Sequence, residues 1–177
     1  MTPPHHRSES DPRAFGFAAV MLCVLLATIF VFAPNTVPGH IGSNGTIGSW
    51  SSKALVLTAV IPVSLLISVG FMIRPLWESL PLSLVQMPFV FFKSFWIAEG
   101  RTDYVYARML EFLRILSGLC SGFFTALLWM DLWAAAGLPV PAHLQQFVFV
   151  SLAAALIAAV VRNYRSLHPS QWTPESD

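Results

Sequence analysis

Four long apolar runs, separated by shorter polar segments, dominate the hydrophobic pattern of this chain. They are Ala14–Ala33, Ala54–Ile73, Phe112–Ala136 and His143–Val161. Each run is close to the ~20 residues that an α-helix needs to cross about 30 Å of hydrocarbon. The pattern therefore predicts an all-α integral membrane protein with four transmembrane helices.

A fifth apolar stretch, Leu80–Ile97, differs from these runs because prolines and polar residues interrupt it. It contains Pro81, Gln86, Pro88 and Lys93. A crossing here would invert the later helices and place the basic residues that follow on the outer side, whereas such residues are retained in the cytoplasm. We therefore predict one interfacial or re-entrant segment at 80–97 instead of a fifth crossing.

The distribution of basic residues predicts the orientation. In the four-helix arrangement nine of the ten Lys and Arg residues fall on one side, and only Lys53 falls on the other. Both termini should then be cytoplasmic. The first run is longer than the roughly 7–15 residues of a signal-peptide core and ends without a small-x-small cleavage site. We interpret it as an uncleaved first helix.

Composition supports a membrane protein and limits the other classes. Hydrophobic residues make up 55% of the chain and charged residues 11%, against about 25% charged in ordinary soluble domains. The net charge of +1 is too small to suggest nucleic acid as a partner. The predicted organisation begins with a cytoplasmic tail at residues 1–13 and a two-helix unit with a Gly-rich outer loop at 14–73. A cytoplasmic or interfacial connection follows at 74–111. A second transmembrane hairpin at 112–161 and a cytoplasmic tail at 162–177 complete the prediction.

Small residues at four-residue spacing predict where helices pack. Lipid provides no hydrophobic drive for helix association, so close contact depends on small side chains. The third and fourth helices should form a hairpin, and Arg108, Glu111 and Arg114 share a face on which they can pair. The candidate helix-packing residues are Ser117, Gly118, Ser121, Gly122, Ala154 and Ala158.

The first outer loop has an order of residues that resembles a known family. The order is a helix, then Pro-x-x-Val-Pro-x-His, a Gly-rich turn, Ser-Lys and a second helix. This order resembles the membrane domain of unknown function that opens the SdpI-type immunity proteins of Gram-positive bacteria. The resemblance implies a bacterial cytoplasmic membrane and an immunity or stress-protection role. Its motif residues are Pro34, Val37, Pro38, His40, Gly45, Ser52 and Lys53.

The candidate chemistry is sparse. His40, Asp131 and His143 should lie at the outer face, where two imidazoles and a carboxylate could bind Zn²⁺ or Cu²⁺ or respond to external pH. No sequence spacing brings them together. Cys23 and Cys120 are single cysteines within apolar runs, which favours inert thiols.

These observations favour a protein without catalysis. The chain contains no phosphate-binding Gly-Lys-Ser/Thr loop, no H-E-x-x-H and no nucleophile elbow, and no ionisable residue near the middle of a run. We expect no cofactor and no catalytic residue. The predicted role is an accessory or structural subunit that packs against a larger membrane protein or another copy of itself; the alternatives are a stand-alone immunity protein and an outer-face metal or ligand binder.

Overall fold

A computed structural model of the chain describes residues 22, 30–42, 46–71, 73–141 and 143–171, with the backbone alone for residues 60, 68, 74 and 171. The described part is mostly helical. The first predicted run, Ala14–Ala33, falls outside the described residues except for residue 22 and a last turn at residues 30–33. Cys23 and Gly45 are likewise outside them.

The described elements follow one another in a simple order. The strands β1 and β2 come first, and three consecutive helical pieces, the second of them π-helical, make up α1. Two short helices, two long ones and a final 3₁₀ turn complete the described part of the chain. Their bounds are Thr36–Ile41 (β1), Ile47–Ser52 (β2), Lys53–Leu55, Val56–Val60 and Ile61–Gly70 (α1), Arg74–Glu78 (α2), Lys93–Ala98 (α3), Thr102–Ala135 (α4), Leu144–Leu167 (α5) and Pro169–Gln171.

The prediction of an all-α fold is wrong in the first loop, which forms an antiparallel β-hairpin. Val37 pairs with Ser51, and two register irregularities follow between Pro38 and Ile41. The physical reason is backbone hydrogen bonding. The loop is long and apolar enough to pack on the helices, so its peptide groups need partners, and a ladder between β1 and β2 provides them.

Among the described residues, two helices, α4 and α5, are long and apolar enough to cross a membrane by length and composition. α1 is a shorter apolar helix. α4 begins ten residues before the predicted boundary and ends in a Schellman motif, in which the Leu138 amide donates to the Trp133 carbonyl (3.2 Å). Gly137 has a φ of +75° there, a conformation in which a side chain would be strained. The turn sends the chain back along α4 as α5.

The buried residues gather at the two ends of α4. At one end, which we call the hairpin end, β1 packs on α4, and Phe30, Val37, Val56 and Leu128 form a cluster. The other end, which we call the base, contains residues 74–113 and 159–171. Its cluster is the larger one and comprises Leu82, Val85, Val90, Trp96, Val105, Met109, Leu110, Leu113 and Leu167.

The stretch 80–97 forms turns and the short helix α3, not a helix of spanning length. Side chains of the long helices donate to its carbonyl oxygens: Tyr106 Oη to Leu80 (2.7 Å) and Asn163 Nδ2 to Pro88 (2.8 Å). Prolines prevent a regular helix here, so the carbonyl oxygens must find other donors. These hydrogen bonds and the apolar cluster attach the stretch to the base.

Candidate functional site

Basic residues concentrate at the base. The sequence has ten Lys and Arg, of which Arg7 and Arg13 fall outside the described residues. Of the remaining eight, only Lys53 lies at the hairpin end. Five of the other seven have described side chains in the base: Lys93, Arg101, Arg108, Arg162 and Arg165. Arg114 follows directly after the α4 part of the base, and Arg74, described by its backbone alone, begins α2. The fold thus collects at one end the charges that the sequence places in separate segments.

An ion-pair network joins the two long helices at the base. Glu111 accepts from Arg108 Nη1 on α4 (2.8 Å) and, through its other oxygen, from Arg162 Nη2 on α5. The sequence predicted a pairing among Arg108, Glu111 and Arg114. The partner from α5 was missed, because only the antiparallel arrangement of α4 and α5 brings Arg162 beside Glu111.

An open groove of about 610 Å³ lies beside this network, and we call it the basal groove. Its walls come from the first turns of α4 and the last turns of α5. The chemistry is mixed aromatic, hydroxyl and cationic, which suits a phosphate or another anion. The lining residues are Tyr104, Arg108, Tyr164, Arg165, Ser166 and His168.

At the hairpin end, the motif residues of the first loop have different structural positions. Val37 and Pro38 are buried, Val37 against Phe30 and Leu128. Pro34 and His40 are exposed. The apolar pair anchors the hairpin to α4.

The Ser-Lys part of the motif closes the loop. The Ser52 hydroxyl accepts from the Leu55 amide (3.2 Å) and caps the start of α1. Lys53 Nζ donates to the carbonyl oxygens of Val31 (3.2 Å) and Ala33 (2.9 Å). Cations stabilise carbonyl oxygens at the ends of helices, so Lys53 ties the turn before the hairpin to the helix after it.

The three candidate metal ligands share the hairpin end without forming a metal site. His40 lies on β1, where a Cβ added at Gly48 would approach its Cδ2 to 2.9 Å. Asp131 is half-buried on α4, and the exposed His143 directly precedes α5. Among the described residues, no group of three or more His, Cys, Asp and Glu side chains is placed to hold a metal ion.

The candidate packing residues divide into two groups. Ser117 and Ser121 are buried within the bundle, and Gly118 is half-buried. By contrast, a Cβ added at Gly122 would meet no atom of the described residues within 4 Å, apart from the backbone of its own helix. Ala154 and Ala158 are also exposed, because α5 buries the next small residue, Ala159, together with Asn163 and Leu167.

The comparisons with known proteins give no relative. No protein-family model, curated protein or solved structure matches the chain. The resemblance to the SdpI-type domain therefore stays a hypothesis about the first loop.

Sequence reasoning also missed the polar side chains that build the base. Tyr104, Trp96 and Asn163 donate to backbone carbonyl oxygens of distant segments. The residue types alone could have indicated these hydrogen bonds, because a hydrogen-bonding side chain at the end of an apolar run needs a partner when it is buried. The residue types do not indicate which carbonyl oxygen is the partner.

Proposed function

We propose that the chain is a multi-pass protein of a bacterial cytoplasmic membrane, with its base and both termini on the cytoplasmic side. The exposed apolar surface of α5 carries this proposal. Only 6% of the most apolar window of α5 is buried within the fold, and Phe147, Val150 and Ile157 are largely exposed. Exposure of such an apolar surface to water is unfavourable, whereas the hydrocarbon of a lipid bilayer can cover it. The basic residues of the base support the orientation.

The orientation can be tested with single cysteines in a variant without the natural cysteines, in which Cys23 and Cys120 are replaced by Ser. Ser49 on β2 and Ser94 on α3 are both exposed. We expect a membrane-impermeant maleimide to label Ser49→Cys in intact cells and Ser94→Cys only after the membrane is opened. Labelling of Ser94→Cys in intact cells would contradict a cytoplasmic base.

For its role, we propose a non-enzymatic accessory or structural subunit that packs against a larger membrane protein. The support is the exposed set of small residues, Gly122, Ala154 and Ala158, since small residues allow the backbone of another helix to approach closely. Glycine inside a helix costs about 1 kcal/mol relative to alanine. Within the described bundle, no neighbouring atom requires Gly122 to lack a side chain.

Purification of the tagged protein from native membranes in mild detergent tests this role. We expect a larger membrane protein to co-purify in fixed stoichiometry, and Gly122→Leu or Ala154→Leu to reduce its recovery at least about fivefold, because a loss of ~1 kcal/mol at a packed helix contact has that size. Ala153→Leu is the matched control, since Ala153 is exposed on α5 but outside the Ala154/Ala158 stripe.

The opposite outcome leads to the second candidate. If the chain is recovered alone, as a monomer or a homo-oligomer, the accessory role is wrong. The stand-alone immunity or stress-protection role, which the resemblance of the first loop suggests, would then be the better proposal. The exposed strand β2 of the hairpin would be the next surface to mutate.

A further inference from the structure

We propose that the basal groove binds the headgroup phosphate of an anionic phospholipid. This inference rests on the membrane insertion proposed above and is independent of the accessory role. It begins with the size and position of the groove. About 610 Å³ is within the roughly 300–1,000 Å³ of sites that hold small molecules. The groove lies at the ends of two apolar helices, which is the depth of lipid headgroups when those helices cross a bilayer.

The walls of the groove are held in place by contacts within the protein. Tyr104 Oη donates to the carbonyl oxygen of Ser166 (2.7 Å), and the guanidinium of Arg108 lies 5.2 Å from the centre of the Tyr104 ring. On the other wall, His168 Nδ1 lies 2.7 Å from Ser170 Oγ. Side chains that are already ordered lose less conformational entropy when a ligand binds.

The charge of the groove favours an anion. Three arginines, Arg108, Arg162 and Arg165, lie in or beside it, and Glu111 is the carboxylate paired with the first two. The three guanidinium groups and the one carboxylate together carry a net charge of +2. Among the described residues Arg165 has no ion-pair partner, and it lines the groove.

A phosphate matches the geometry of these donors. Guanidinium groups bind phosphate oxygens through two parallel N–H donors. The Ser166 hydroxyl already donates to the Asn163 carbonyl oxygen (2.9 Å), so the arginines supply the donors to the phosphate. The aromatic rings of Tyr164 and His168, 5.6 Å apart, can cover the glycerol carbons. Because the turns of α5 that precede the groove expose apolar side chains such as Ile157 and Val161, the acyl chains can extend along that helix into the bilayer.

The test uses the purified protein in detergent micelles, with no partner present, so a failure of the accessory role does not affect it. Native mass spectrometry would count bound dioleoyl phosphatidylglycerol, with dioleoyl phosphatidylcholine as the neutral comparison. We expect one preferred phosphatidylglycerol, and Arg165→Gln should weaken its binding about tenfold, the size of one charge-assisted hydrogen bond.

The control is Arg101→Gln, which removes the same charge from an exposed position of the base outside the groove. Binding should change less than about twofold in this variant if the groove is the site. If both variants lost phosphatidylglycerol affinity equally, the effect would come from general surface charge, and the proposal would be overturned. Binding of inorganic phosphate in the absence of lipid would also overturn it, because the site would then take a free anion. Arg165→Lys, which keeps the charge but not the fork, should retain intermediate affinity.

Discussion

Replacing Trp96 with Ala should lower the free energy of unfolding by about 3–5 kcal/mol, the usual cost of removing a fully buried aromatic side chain. Trp96 is 2% exposed and packs at 4.8 Å, centre to centre, on the ring of Tyr104. Its indole N–H donates to the carbonyl oxygen of Leu167 (2.8 Å), which joins α3 to the end of α5. The measurement is unfolding of the purified protein in mixed detergent micelles.

Two further variants separate packing from hydrogen bonding at this position. Trp96→Phe keeps most of the ring and loses the donor, so about 1–3 kcal/mol should be lost because the Leu167 carbonyl oxygen stays buried. Trp129→Ala is the matched control, since Trp129 is 51% exposed and its loss should cost less than about 1 kcal/mol. If Trp96→Ala and Trp129→Ala cost the same, α3 does not contribute to the stability of the base.

Replacing Leu128 with Ala should cost about 2–5 kcal/mol through the cavity that it leaves beneath the hairpin. Leu128 is 2% exposed on α4 and contacts the cluster of Phe30, Val37 and Val56. Hydrogen exchange read by mass spectrometry should increase over residues 36–52 and stay unchanged over residues 80–100. Trp96→Ala should give the reverse pattern, because the two clusters lie at opposite ends of α4.

The control for the second variant is Leu66→Ala. Leu66 is 74% exposed on α1, so its truncation removes contacts with detergent or lipid and none with a core, and should cost less than about 0.5 kcal/mol. Increased exchange over both ends in Leu128→Ala would contradict the separation of the two clusters. The bundle would then unfold as a single cooperative unit.

The apolar runs of the sequence predicted the long helices because apolar length is a local property of the chain. Phe112–Ala136 and His143–Val161 correspond to the most apolar parts of α4 and α5. The polar first turns of α4 were left outside the prediction, since Thr102–Glu111 carries three charged residues and hydropathy alone does not distinguish a charged helix from a loop. The prolines of 80–97 also predicted correctly that this stretch is not a regular long helix.

By itself, the sequence determined which stretches are apolar enough to span a membrane, and it predicted that the basic residues lie on one side of it. These properties depend on residue type and on neighbours in the chain. The tertiary structure decided the rest. It made a β-hairpin of the first loop, turned Ala154 and Ala158 outward while burying Ala159, and brought Arg162 to Glu111. Each of these depends on how helices rotate and meet, because a backbone or charged group finds its partner through packing of segments that are far apart in sequence.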